Sequence, residues 1–254
     1  MSIELTILLP VRNEGLNLKI MLQILRAVVE ESHEVLVVVD SPQDSSIQVV
    51  ETIRPAYPEL RWILNKSGRG VIHAIRAGVT AAEGQAVMIF AADEVGPVLA
   101  IEDMMALLRE GCDFVSCTRY AYGGRRLGGS LVGGALSRLA NFLFRVMTQT
   151  PFSDATTGIK LFRKEVFARL QLESRPVGWA CAFEMAIKAQ WAGLRLGEVP
   201  IVSIDRLYGG KSTFRLLPWV REYGRLFLWG WVHGIRRGHH ASRKVTVRIP
   251  NHFR

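Results

Sequence analysis

Two adjacent carboxylates, Asp93 and Glu94, stand at the end of an apolar run over residues 86–92, just before the turn residues Gly96 and Pro97. A run of that length and composition reads as a strand buried on both faces. The carboxyl end of a central strand is where open α/β sheets bind ligands. Carboxylate oxygens there suit a hard divalent cation that is shared with substrate phosphates. Two other strand-like runs end in the same manner: residues 3–9 stop at Pro10 and lead into Asn13 and Glu14, and residues 33–39 stop at Asp40. Asn13 and Glu14 can hydrogen-bond hydroxyls or amides, and Asp40 can accept from an N–H. Arg69 lies between Gly68 and Gly70 at a helix start, a position that favours anions. Each has a plainer alternative. Asp40 could cap a helix, Glu14 could complement a helix dipole, and Arg69 could be a solvated surface residue.

The elements that must position these groups follow from periodicity. Strand-like runs cover residues 3–9, 33–39, 60–64, 86–92 and 113–117, and helical spacing covers 16–29, 47–53, 70–82 and 98–109. Such alternation predicts right-handed crossovers and a mostly parallel α/β sheet flanked by helices. In a parallel sheet the loops at Asn13-Glu14, Asp40 and Asp93 emerge on one edge. Together they form a nucleotide-sized crevice with room for a cation. A glycine-rich basic stretch over 120–130 follows, then an amphipathic helix with Leu136, Leu139, Ala140, Leu143 and Met147 on one face. Arg138 and Arg145 lie opposite. A loop at 151–158 precedes a strand at 159–162, and a helix at 181–192 and a strand at 194–204 complete the core. Gly209, Gly210, Lys211 and Ser212 form a second flexible basic loop.

Bulk composition narrows the class. The chain has 254 residues and a formal net charge of +9. Residues 1–205 carry 21 Lys+Arg against 22 Asp+Glu, whereas residues 206–254 carry 11 against Glu222 alone. The excess is therefore local, which argues for contact with an anionic membrane surface or with phosphates. No helix-turn-helix, zinc-finger or RNP-like pattern supports nucleic acid. Cys112, Cys117 and Cys181 lack paired spacing and read as reduced core thiols of a cytosolic protein. The six histidines show no zinc spacing, and no P-loop is present. No apolar run is long enough to predict a membrane-spanning helix.

Five ordered segments resemble family 2 glycosyltransferases of the GT-A (Rossmann-like) fold. The branch is that of dolichol-phosphate mannose synthase and the bacterial polyprenyl-phosphate sugar synthases. LPVRNEGLNL is similar to the opening nucleotide loop, VVVDSPQDSS to the second strand end, and AADEVGP to the D-x-D segment. DATTGIKLFRKEV and FEMAIKAQWAGLRLGEVPI with DRLYGGKSTF resemble the acceptor-side and closing segments. The likeness spans residues 3–214, with a glycosyltransferase domain over 1–212 and a helical, basic appendage over 213–254. Val39 and Ala91 stand where many relatives carry an aspartate.

The resemblance implies an inverting enzyme that moves a hexose from a UDP- or GDP-sugar to a polyprenyl (dolichyl or undecaprenyl) phosphate. The alternatives are the same donor chemistry with a soluble acceptor, or a non-catalytic binder of sugar nucleotides. It implies that Pro10, Asn13, Glu14, Asp40, Arg69 and Asp93 hold the nucleotide, and that Asp93 and Glu94 hold Mg2+ or Mn2+. Arg119, Ser137, Arg206, Lys211 and Ser212 are implied in handling the acceptor phosphate, with Asp93, Asp154, Arg119 and Arg206 the catalytic set. A further acceptor-side arginine of the family falls near Gly133, leaving Arg125, Arg126 or Arg138 to supply that contact. Asp154 either orients the acceptor or caps its turn, and Glu184 is either functional or a buried structural acid.

Residues 214–234 place Leu216, Val220, Tyr223, Phe227 and Trp231 at helical spacing, with Arg221 and Arg225 opposite. Three tryptophans and the basic residues that follow suit a headgroup boundary. The expectation is a peripheral enzyme on the cytosolic membrane face. An ordinary packing helix or a homo-oligomer contact is the alternative. Residues 244–249 alternate like a strand, so the tail can fold back.

Overall fold

The computed structural model describes residues 3–128, 131–204, 216–237 and 244–253. In chain order the elements begin β1 (Leu5–Pro10), α1 (Gly15–Val28), β2 (His33–Val39), α2 (Ser45–Ile53), β3 (Leu60–Leu64) and α3 (Val71–Ala81). Next come β4 (Ala86–Ile89), α4 (Ile101–Arg109), β5 (Phe114–Thr118), β6 (Arg125–Leu127), α5 (Leu131–Thr148) and β7 (Lys160–Arg163). The chain closes with α6 (Phe167–Leu170), α7 (Ala180–Trp191), β8 (Leu196–Pro200), β9 (Val202–Ile204), α8 (Leu216–Arg237) and β10 (Val245–Val247).

Among the described residues the main sheet has eight strands in the order β10-β8-β5-β7-β4-β1-β2-β3. Every pairing is parallel except those of β7, which runs against both β4 and β5. All strands but β7 therefore end at one edge. The chain steps outward from β1 to β3, then returns to the other side of β1 as β4. That reversal opens a crevice at the carboxyl ends of β1 and β4.

Side-chain alternation on β1 divides the core. Leu5, Ile7 and Leu9 face α1, α2 and α4, whereas Leu8 belongs to the layer formed with α3, α7 and the inner sides of α5 and α8. Both layers are apolar and buried, which is why the strands read as near-continuous hydrophobic runs.

Four expectations change. β4 ends at Ile89, not at 92. Phe90 N–H still reaches the Leu8 carbonyl at 2.9 Å, but Ala91 then closes a turn by accepting from Glu94 N–H at 3.2 Å. The helix expected at 98 starts as a 3-10 turn over Gly96–Ala100 before α4. The strand expected at 194–204 is two, because β9 leaves the main sheet and pairs with β6. The buried face of α5 is also turned from the expected one, although Arg138 and Arg145 stay exposed and Ala140 packs against the core. Asn141, Phe144 and Thr148 are buried, while Leu136, Leu139, Phe142, Leu143 and Val146 are exposed. The reason is polar: Asn141 accepts from Ala155 N–H at 3.0 Å and donates to Thr156 Oγ1 at 2.9 Å.

The inner side of α8 is likewise set by packing. Phe227 stacks on Phe144 with ring centroids 3.5 Å apart, and Trp229 lies against Trp191 at 4.9 Å. Tyr223 and Phe227, expected on an outer stripe, thus pack against the core, and Leu228, Trp231 and Val232 face out. The side chains of Leu216 and Val220 lie outside the described residues. The last strand, β10, pairs in parallel with β8, which ties the C-terminal segment to the sheet edge.

Candidate active site

On the β1–β4 side of the crevice, main-chain donors and short polar side chains lock the loops together. Asn13 adopts a left-handed φ of 55°, which asparagine tolerates better than most residues. Its N–H donates to both oxygens of buried Asp44 at 3.1 Å, and its Oδ1 accepts from Ser45 N–H at 3.3 Å. Glu14 N–H donates to Ser46 Oγ at 3.1 Å, and the Glu14 carboxylate accepts from Asn17 at 3.0 Å. The loop after β1 thereby sits on the first turn of α2, whose cap is Asp44, accepting from Ser46 N–H at 2.8 Å.

Asp40 is therefore not a helix cap. Its two oxygens accept from Asn65 Nδ2 at 2.8 Å and from Gly70 N–H at 3.1 Å. Asn65 also donates to the Gly68 carbonyl at 2.6 Å, so this pair shapes the turn that leaves Arg69 exposed at the mouth. Gly70 is required there. Its φ is +123°, and a Cβ would stand 2.5 Å from the Cβ of Pro176. Each Asp40 oxygen retains lone-pair capacity toward the crevice.

Asp93 and Glu94 are both half-buried in the turn after β4. Asp93 makes no hydrogen bond or ion pair to the described residues, so its oxygens are open to a cation. Among the described residues no three His, Cys, Asp or Glu side chains converge on one point. This donor set fits a hard cation that takes its remaining ligands from phosphate oxygens and water.

Across the sheet, Arg119 follows β5 at the same edge. Its Nε donates to Asp154 Oδ2 at 2.7 Å and its Nη2 donates to Asp154 Oδ1 at 3.0 Å, a bidentate pair. Asp154 is fully buried and also accepts from Thr156 N–H at 3.2 Å. It thus caps its own turn while holding Arg119. Burial, the largest influence, would raise the Asp154 carboxyl, but the charge and hydrogen bonds of Arg119, with Lys160 and Thr156, together outweigh it and hold the group below the usual carboxylate range. Burial alone would lower the Arg119 guanidinium, but the facing Asp154 charge and hydrogen bonds shift it upward, so the pair stays fully ionised.

Tyr120 continues the patch. Its ring lies 5.1 Å from the Arg119 guanidinium and 5.6 Å from that of Arg138, and its hydroxyl donates to Ser137 Oγ at 2.8 Å. Ser137 and Arg138 on α5 are thereby brought beside Arg119. Arg125 is exposed on β6. Arg206, Lys211 and Ser212 lie outside the described residues. Glu184 takes the structural alternative: buried on α7, it accepts from Ser174 N–H at 2.8 Å and pairs with Lys188 at 2.7 Å.

Asn65, Tyr120, Asn141, Lys160 and Glu198 were not assigned roles from sequence. Asn65 and Glu198 carried a signal in position, at the end of β3 and inside an otherwise apolar strand. Lys160 carried the same signal in a short apolar strand. Burial pushes the Glu198 carboxyl up to about 7 and the Lys160 ammonium down to about 8.

Residues 6–171 match the model of the family described as glycosyl transferase family 2. A dolichol-phosphate mannosyltransferase from Pyrococcus furiosus is 24% identical, the alignment covering 98% of this chain and 79% of that protein. Another, from Mycosarcoma maydis, is 25% identical over 87% of this chain and 79% of its own. Among solved structures, a mannosyltransferase from Pyrobaculum calidifontis in complex with GDP-Man and Mn2+ superposes with a TM-score of 0.65 at 19% identity. That match covers 94% of this chain and 66% of the other. Glucosyl-3-phosphoglycerate synthase from Mycobacterium tuberculosis, with Mn2+, UDP and its product, gives 0.63 at 16%, covering 92% and 80%.

Proposed function

The chain belongs to glycosyl transferase family 2 and is a glycosyltransferase of GT-A fold; from that premise we propose that it transfers a hexose from a UDP- or GDP-sugar to a polyprenyl phosphate with inversion. The observation that carries this reading is the Arg119–Asp154 pair at the same sheet edge as Asp40 and Asp93. A charged guanidinium, fixed beside Tyr120 and Ser137, suits a phosphate acceptor.

In this reading the nucleotide rests against the loops at Asn13, Glu14, Asp40 and Arg69. Asp93, with Glu94 beside it, holds Mg2+ or Mn2+, which when bound neutralises charge on the departing diphosphate. The acceptor phosphate is already ionised near neutral pH, so one of its oxygens attacks the anomeric carbon without a strong base. A new carbon–oxygen bond forms on the face opposite the nucleotide while the bond to the diphosphate breaks. What the protein supplies is alignment and charge compensation. Arg119 holds the acceptor phosphate, and Asp154 holds Arg119.

The experiment is a panel of UDP-, GDP- and dTDP-hexoses incubated with a polyprenyl phosphate, followed by mass spectrometry of the lipid fraction. One donor should yield a polyprenyl phosphate heavier by one hexose. Sugar appearing only on a water-soluble acceptor, or on none, would rule the reading out.

The acceptor implies a membrane, and no helix among the described residues is long and apolar enough to cross one. We place the protein peripherally on the cytosolic face through adjoining outer faces of α5 and α8. Leu136, Leu139, Phe142 and Val146 are each more than half exposed, and Leu228, Trp231 and Val232 continue the surface. Arg138, Arg145 and Arg221 are exposed on the same two helices. Each basic residue near an anionic surface adds roughly 1 kcal/mol. Flotation should require anionic vesicles, weaken with salt, and drop sharply in a Leu139→Glu/Phe142→Glu variant. Salt-insensitive self-association blocked by the same pair would instead assign this face to a homo-oligomer.

A further inference from the structure

Beneath the Arg119–Asp154 pair, the sheet buries a row of polar side chains. Register sets Ser116 of β5 between Lys160 of β7 and Glu198 of β8, so the three share one face. All three are fully buried. Charged groups seldom occupy such positions, because apolar side chains of similar volume fill them at lower free energy. Neither charge is needed for the sheet itself, whose ladder is main chain.

What the row does hold is the turn that carries Asp154. Glu198 Oε1 accepts from Ser153 N–H at 2.9 Å and from Asp154 N–H at 3.3 Å, and its Oε2 accepts from Ser153 Oγ at 2.9 Å. Ser153 Oγ also lies 2.6 Å from Thr118 Oγ1, next to Arg119. From the other side, Lys160 Nζ donates to Ser116 Oγ at 2.6 Å. Ser116 Oγ lies 3.5 Å from the Asp154 carbonyl oxygen and 3.2 Å from that of Cys117. The Ser153–Asp154 turn is therefore held at its N–H groups by Glu198, with Ser116 Oγ approaching the Asp154 carbonyl from the other side, while the Asp154 carboxylate is spent on Arg119.

We propose that Glu198, with Lys160 acting through Ser116, is a positioning residue for the acceptor: it fixes the Ser153–Asp154 turn so that Asp154 aims the Arg119 guanidinium at the acceptor phosphate. The inference rests on the reading of Arg119 given above. Glu198 touches no substrate, and its effect reaches the reaction through two intervening residues. Because it grips the acceptor side alone, its loss should separate acceptor handling from nucleotide binding.

The test compares Glu198→Gln with Glu198→Val. Glutamine can keep all three contacts, accepting from both N–H groups and donating to Ser153 Oγ, whereas valine keeps none. With farnesyl phosphate as acceptor, Glu198→Val should raise the acceptor KM about tenfold or more, the scale of losing hydrogen bonds to a buried group. Nucleoside diphosphate affinity by calorimetry should stay within about twofold, and Glu198→Gln should stay close to wild type. Hydrogen exchange at amides 153–156 should accelerate in the valine variant only. If that variant does not fold, Lys160→Met should show the same split to a lesser degree.

Unchanged exchange in Glu198→Val overturns the inference, as does faster exchange with an unaltered acceptor KM. Equal loss of donor and acceptor binding would assign Glu198 to general folding and overturn it too. Wild-type protein that moves no sugar to farnesyl phosphate counts against the acceptor reading instead, and the exchange comparison still decides the brace.

Discussion

Asp93→Asn should lower hexosyl transfer by at least about a hundredfold, the scale of removing a main electrostatic contribution to a transition state. The substitution changes one oxygen to an amide in a half-buried turn and breaks no hydrogen bond to the described residues, so the fold should survive it. What it removes is the anionic charge that would hold a cation against the diphosphate. Transfer should fail in parallel with the metal dependence of nucleotide binding, measured by calorimetry with and without Mg2+ or Mn2+. Glu94→Gln should have the smaller effect, since Asp93 occupies the last carboxylate position of the D-x-D-like segment. Near wild-type turnover in purified Asp93→Asn would remove the metal assignment, and with it the proposed route for leaving-group charge.

Arg119→Ala should be the most damaging change on the acceptor side, in two separable ways. It strands the fully buried Asp154 carboxylate, and breaking a buried pair from one side costs about 3–5 kcal/mol of stability. It also removes the group proposed to face the acceptor phosphate. Arg119→Lys disentangles the two: a lysine retains the charge near Asp154 but not the two-pronged geometry. Urea unfolding should show most of the stability restored in the lysine variant. Acceptor kcat/KM should remain at least about tenfold below wild type. Asp40→Ala should weaken nucleoside diphosphate binding while leaving the acceptor KM largely unchanged. Equal loss of nucleotide affinity in the Asp40 and Arg119 variants would collapse the division between the two sides of the crevice.

The sequence alone determined the order of strands and helices from β1 to β5 and the polar groups that follow those strands. An apolar run marks a buried parallel strand, though β4 stops before its run does, and the polar residues that follow lie near the sheet edge. Asn13, Asp40 and Asp93 were legible for that reason, and five ordered segments then pointed to the family. Partnerships across the sheet were decided only by the tertiary structure. Asp154 meets Arg119 from 35 positions away, and Glu198 reaches Ser153 across 45. No periodicity encodes such separations; they arise because β7 inserts antiparallel between β4 and β5 and carries its preceding turn to the common edge. Helix faces were the other blind spot. α5 and α8 carry apolar residues over most of their circumference, so either stripe could have been the buried one. Asn141 bonded to Thr156, and Phe227 stacked on Phe144, settled the choice. Polar satisfaction and ring packing with distant neighbours select a face, and those neighbours exist only once the chain has folded.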